Sequence, residues 1–200
     1  MAALPHACPI GTLSTAGRGW RDLWRAYRLR TRRRGLLLRA FRHRHEITPH
    51  ADRTAAIRPG DILCFLCLRN EVARLPYLLA HNRRLGVRHF LIVDNASTDA
   101  TVALLADQPD VSLWQTGASY KAARFGMDWL TWLMLRHGHG HWCLTLDADE
   151  ILIYPYWQTR PLPALTDWLD RQGRHSFGAL TVDMYPGGAV SSGHHAAEDD

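Results

Sequence analysis

Four apolar runs, each too short to be a buried helix, recur along this chain: DILCFLCL (61–68), VRHFLIVD (87–94), VSLWQT (111–116) and WCLTL (142–146). Each is about strand length and mostly apolar, as a strand buried on both faces must be. The segments between them carry helical spacing instead. In LPYLLAHNRRLG (75–86) the apolar positions are Leu75, Leu78, Leu79 and Leu85, with Pro76 placed to open a helix and Gly86 to close it. STDATVALLAD (97–107) reads as a second helix with Ser97 as its N-cap. A long helix is expected from Tyr120 to Arg136, with Ala123, Met127, Leu130 and Met134 on one face. LPALTDWLDRQG (162–173) makes another, and FGALTVDMYP (177–186) a fifth strand. Strands alternating with helices mean βαβ units, hence an α/β fold with a mainly parallel sheet sandwiched by helices.

With 200 residues, the chain is long enough for one such domain with a real core. Three regions are expected: residues 1–17, rich in small residues and poorly ordered; 18–60, an arginine-rich helix and a linker broken by Pro49 and Pro59; and 61–200, the α/β domain. The net charge of +5 is concentrated in the second region. Arg18 to Arg44 holds 11 of the 24 Lys and Arg, and Asp22 alone opposes them. Arginines interleaved with Leu23, Trp24, Tyr27, Leu36, Leu37, Leu38 and Phe41 suit a helix lying on an anionic membrane surface. A solvated arm, or one packed on the domain, fits the same pattern. Nucleic acid fits the chain less well as a partner, because the rest of it adds no basic stripe interleaved with aromatics. No apolar run is long enough to cross a bilayer, and the N-terminus has no signal-peptide pattern. Cys64 and Cys67 form a C-x-x-C, but inside a strand their side chains point to opposite faces, so they read as buried structural thiols. A reducing, cytoplasmic setting follows, with peripheral attachment to the inner membrane face if the arginine helix binds lipid.

The strand ends carry the chemistry. The first expected strand ends in Arg69, Asn70 and Glu71, the second in Asp94 and Asn95, and the fourth in Asp147, Asp149 and Glu150. Open α/β sheets bind ligands beyond the carboxyl ends of their strands, so these clusters would meet on one edge. Two aspartates two apart at a strand end project the same way, and like charges so placed call for a cation. Mg²⁺ or Mn²⁺ suits oxygen ligands and bridges carboxylates to phosphates. The plainer reading of the same acids is a solvated capping loop. Asn70, Asn95, Ser97 and Asp99 read as turn and cap residues. HGHGH (137–141) reads as a helix end and turn, and His81 and His89 as structural.

The motifs LRNE (68–71), LGVRHFLIVDNASTDAT (85–101) and LTLDADEIL (144–152) together resemble the family 2-type glycosyltransferases of GT-A fold, most closely the branch with RNE, DN-x-S-x-D and D-x-D-E. KAARFG (121–126) looks like a degenerate form of a helix start common in that family. The resemblance spans about residues 61–190 and implies a GT-A-like, Rossmann-like domain behind a basic N-terminal helix. It implies a nucleoside diphosphate sugar as donor, UDP-sugar favoured, with Arg69, Glu71, Asp94, Lys121, Arg124 and Asp147 lining the nucleotide site. Asp147 and Asp149 would hold the divalent metal, Asp149 being favoured as its direct ligand. The family takes its catalytic base well downstream of the D-x-D. Glu198 and Asp199 copy that motif superficially and arrive too soon, so the chain reads as a donor-binding part with a short or missing acceptor half. His194 or His195 could add a late metal ligand.

Three other readings compete. A phosphatase using a D-x-D places it on its first strand, not its fourth. A nucleotidyltransferase would open with a glycine-rich phosphate loop, which CLRNEVARL lacks. A non-catalytic, membrane-associated adaptor on a degenerate GT-A domain remains open.

Overall fold

The computed structural model describes residues 19–183. By contact density the chain divides into residues 1–38 and residues 39–200. Its first element is helix α1 (Trp20–His43).

The strands β1 (Thr48–Ala51), β2 (Ile62–Leu68), β3 (Val87–Asp94), β4 (Val111–Gln115) and β5 (Cys143–Thr145) form one sheet in the order β1-β4-β3-β2-β5. β2, β3, β4 and β5 run parallel, and β1 lies antiparallel on β4. Helices α2 (Leu75–Leu85), α3 (Thr101–Ala106), α4 (Met127–His137) and α5 (Leu162–Arg171) flank it. All seven residues of β2 are buried, which requires cover on both faces. Alternate residues divide between two cores. Ile62, Cys64, Leu66 and Leu68 pack with α2, with Leu105 of α3 and with Leu162 of α5. Leu63, Phe65 and Cys67 pack with Trp129, Leu130 and Leu133 of α4. The two thiols therefore face opposite ways, as a period of two demands.

The connections fix where a ligand can sit. From β2 the chain steps to β3 and then to β4, and next crosses back to the far side of β2 to lay down β5. The order in which strands are added thus switches sides at β2, and sheets of this kind bind ligands beyond the carboxyl ends of the strands near such a switch.

Four details differ from the expectations. First, the segment taken as a linker supplies β1, with Thr48 opposite Gln115 and Pro49 opposite Trp114. Pro49 hid it, because proline suits a strand only at a sheet edge, and β1 is the edge. Second, α4 begins at Met127, not Tyr120. Arg124 (φ 53°), Phe125 (φ 56°) and Gly126 (φ 76°) are all left-handed, which no right-handed helix can absorb. Third, Ser97 is not an N-cap: α3 begins at Thr101, whose N–H is accepted by Asp99 Oδ1 at 3.0 Å. Fourth, residues 177–183 of the expected fifth strand pair with nothing in the sheet, and 184–186 lie outside the described residues.

Candidate functional site

Leu68 of β2 pairs with Asp94 of β3, and Phe65 of β2 with Thr145 of β5. The turns bearing Arg69–Glu71, Asp94–Asn95 and Asp147–Glu150 thus leave one edge of the sheet side by side. Two of them are stitched together. Asn70 N–H donates to Ser97 Oγ at 2.9 Å, and Thr98 N–H to Asn70 Oδ1 at 2.7 Å. Glu71 N–H donates to Thr101 Oγ1 at 3.0 Å, and Val72 N–H to Asp99 Oδ2 at 3.4 Å. Asn95 ties the next turn by donating to the carbonyls of Thr116 and Ala118. Asn70, Asn95, Ser97 and Asp99 are therefore engaged in shaping turns, which leaves the charged neighbours to face a ligand.

Asp94 is 1% exposed. Its Oδ2 accepts the Ser97 N–H at 3.1 Å, while its Oδ1 has no partner among the described residues. An unpaired buried carboxylate oxygen costs on the order of 1–3 kcal/mol, so it invites a donor from outside the chain. Beside it lies a cleft of about 410 Å³ lined by Glu46, Thr48, Ala96, Ser97, Gln115 and Thr116. The cleft is therefore walled partly by β1 and the residues before it, a stretch whose prolines suggest a linker.

Across β2 stand the other acids. Burial, Glu150 and Asp149, in that order, raise the Asp147 carboxyl above its ordinary value. Asp147 and Glu150 close a tight turn on each other: Asp147 N–H donates to Glu150 Oε2 at 3.0 Å, and Glu150 N–H to the Asp147 carbonyl at 3.1 Å. Asp94 and Asp147 act together on one group between them. Burial first, then the charges of Asp94 and Asp147, push the Cys67 thiol up to about 12. Cys67 is accordingly no nucleophile, and both carboxylates flank the end of β2.

The expected cations are placed unequally. Arg69 and Lys121 are exposed at the rim, one after β2 and the other in the loop before α4. Arg124 turns away from the acids, its Nη1 lying 3.5 Å from Asp128 Oδ1. Glu71 is taken up by Arg74, whose Nη1 donates to its Oε2 at 2.8 Å. The Glu71 bond chiefly, and Asp149 more weakly, raise Arg74 further above its ordinary value. Arg74 is thus a rim cation that the sequence reading missed, although its place three residues after Glu71 in a nascent helix was a signal.

Also missed were the aromatics of the 119–126 loop. Tyr120 and Phe125 meet edge to face at 5.7 Å. Burial first, then the charges of Cys67, Asp147 and Asp149, raise the Tyr120 hydroxyl above its ordinary value. A Cβ on Gly126 would meet Cys67 Sγ at 2.6 Å, so glycine lets this loop lie directly against the end of β2. Behind the loop runs a polar network. Asp128 Oδ2 accepts from Arg39 Nε at 3.3 Å and Nη2 at 3.1 Å, and Arg39 Nη2 also donates to the Ala122 carbonyl at 3.0 Å. Glu46 joins His43 at 2.8 Å and accepts the Trp129 Nε1–H at 2.8 Å. Burial works to raise the Glu46 carboxyl, but these hydrogen bonds outweigh it and hold it below its ordinary value.

Among the described residues, no three His, Cys, Asp or Glu side chains converge to form a closed metal site. Asp147 and Asp149 offer oxygen ligands without an ion-pair partner among the described residues. That donor set fits Mg²⁺ or Mn²⁺ held by one or two carboxylates with phosphate oxygens completing the shell; it does not fit a cage built from protein alone. Glu198, Asp199, His194 and His195 lie outside the described residues. No protein-family model matches the chain, and no curated protein matches it significantly.

Proposed function

We propose that this chain is a metal-dependent glycosyltransferase of the family 2 type, with a GT-A form of the α/β fold and a nucleoside diphosphate sugar, UDP-sugar first, as donor. The observation that carries the reading is the buried, unpartnered Asp94 Oδ1 beside its cleft, set on the same sheet edge as the crowded Asp147 and Asp149. Asp94 would accept an N–H from the base, which satisfies its orphan oxygen. Thr48 and Gln115 would border the base, and Asp147 and Asp149 would hold the divalent ion across the end of β2.

When bound, the metal supplies positive charge to the leaving diphosphate. The chain's own groups do the rest. Arg69 and Lys121, exposed on the rim, would add to the neutralisation of charge developing on the diphosphate. Arg74 would hold Glu71 in place rather than release it to the base, so Glu71 acts from the edge of the pocket. Arg124 would serve the network around Asp128 in place of the nucleotide.

Calorimetry of the full chain with UDP and GDP, with and without Mn²⁺, tests this. Heat is expected with UDP and Mn²⁺ together, with loss of binding in Asp149→Ala and a folded variant by circular dichroism. No heat with either nucleotide would favour the adaptor reading.

A further inference from the structure

Helix α1 carries a feature that the donor site does not use. Trp20, Leu23, Trp24 and Tyr27 follow the i, i+3, i+4, i+7 spacing of a single helix face. All four are exposed, Trp20 to 76% and Tyr27 to 62%. Trp24 and Tyr27 meet edge to face at 6.2 Å, and Trp20 stands one turn before Trp24 on the same face. Arginines border it on both sides. Arg21, Arg25, Arg28 and Arg32 stand on one flank at i, i+4, i+7 and i+11, and Arg30 on the other. Asp22 is the only acid in the helix.

We propose that this face of α1, residues 20–34, docks on an anionic lipid bilayer, the aromatic strip entering the headgroup layer and the flanking guanidinium groups meeting lipid phosphates. The chemistry on each side matches. Trp and Tyr favour the interface because they offer an apolar body with a polar tip, and arginine binds phosphate through a planar fork of donors. Low total hydrophobicity with a segregated apolar stripe marks a helix that lies on a membrane, and no helix among the described residues is long and apolar enough to cross one. Nucleic acid is the poorer occupant: it needs a basic face toward the phosphates, whereas here the arginines are split by a strip of bulky rings.

Co-sedimentation of the full chain with vesicles tests the proposal. Binding to phosphatidylcholine–phosphatidylserine vesicles is expected, with little to phosphatidylcholine alone and weakening as salt is raised. Each basic residue near an anionic surface strengthens binding about fivefold, so Arg28→Ala with Arg32→Ala should weaken it roughly twenty-five-fold. Lysine at both positions should restore most of the binding. Trp20→Ala with Trp24→Ala should lower it at every salt concentration. These side chains are exposed, so circular dichroism should be unchanged. Equal binding to both vesicle types, no binding to either, or retention of an oligonucleotide by a chain that ignores vesicles would each overturn the proposal.

Discussion

At Asp128 a buried carboxylate is held by partners that are themselves accessible. Its side chain is 1% exposed and that of Arg39 46%. The two sides of this pair should therefore respond differently to mutation. Arg39→Ala leaves a charge in the interior with weaker partners, Arg124 at 3.5 Å and His43 at 3.8 Å, and should cost about 3 kcal/mol. Asp128→Asn leaves a cation that can turn to water and should cost about 1 kcal/mol. Urea unfolding of the two variants decides, and the reverse order would show that Arg39 is not the principal partner. Asp147 behaves in the opposite sense. Its proton is held more tightly in the folded than in the unfolded chain, so ionisation opposes folding. That cost is absent at low pH, sets in as pH rises from the ordinary aspartate value of 3.8 through the raised one, and is constant above it. Asp147→Asn should consequently be more stable than the native chain at neutral pH, with the difference vanishing in acid. At the same time it should lose metal-dependent nucleotide binding. A variant less stable at neutral pH would show that the acids are not crowded.

Local packing decides how the elements reach the rim. The loop before α4 is pinned because Gly126, at φ 76°, lies against Cys67. Gly126→Ala adds a left-handed penalty of about 1–2 kcal/mol to a 2.6 Å clash with Cys67 Sγ, so it should lower stability by at least about 2 kcal/mol and shift Tyr120 away from the acids. Urea midpoints check the first effect, and the titration of the Tyr120 hydroxyl moving back toward its ordinary range checks the second. This loop shows where sequence reading stops. The spacing of Ala123, Met127, Leu130 and Met134 is helical, but nothing in it records that Arg124 and Phe125 adopt left-handed conformations, since tertiary contact imposes them. Conversely, β2, β3, β4 and α2 were legible almost to the residue. Their signals are local: continuous burial in the strands, Pro76 and Gly86 at the two ends of the helix.

Across the molecule, the parallel orientation of four strands followed from the βα alternation, but the edge strand β1 did not, because its partner is far off in sequence and Pro49 argues against a strand. The site divides in the same way. That the acids gather on one edge was readable from where each apolar run ends. That Glu71 is paired with Arg74 and that Arg124 serves Asp128 are contacts that i,i+3 and i,i+4 spacing permits but does not choose, and that Glu46 walls the cleft depends on a strand pairing no local pattern records. For the proposed function, Asp94 and the Asp147/Asp149 pair must serve a single bound molecule from two sides of β2. Manganese electron paramagnetic resonance tests this most directly, because the free-ion signal falls when Mn²⁺ is bound. With the full chain the signal should fall steeply only when UDP is also present, and both Asp94→Asn and Asp149→Ala should restore it. Equal Mn²⁺ uptake with and without UDP, or uptake indifferent to Asp94, would contradict a shared site.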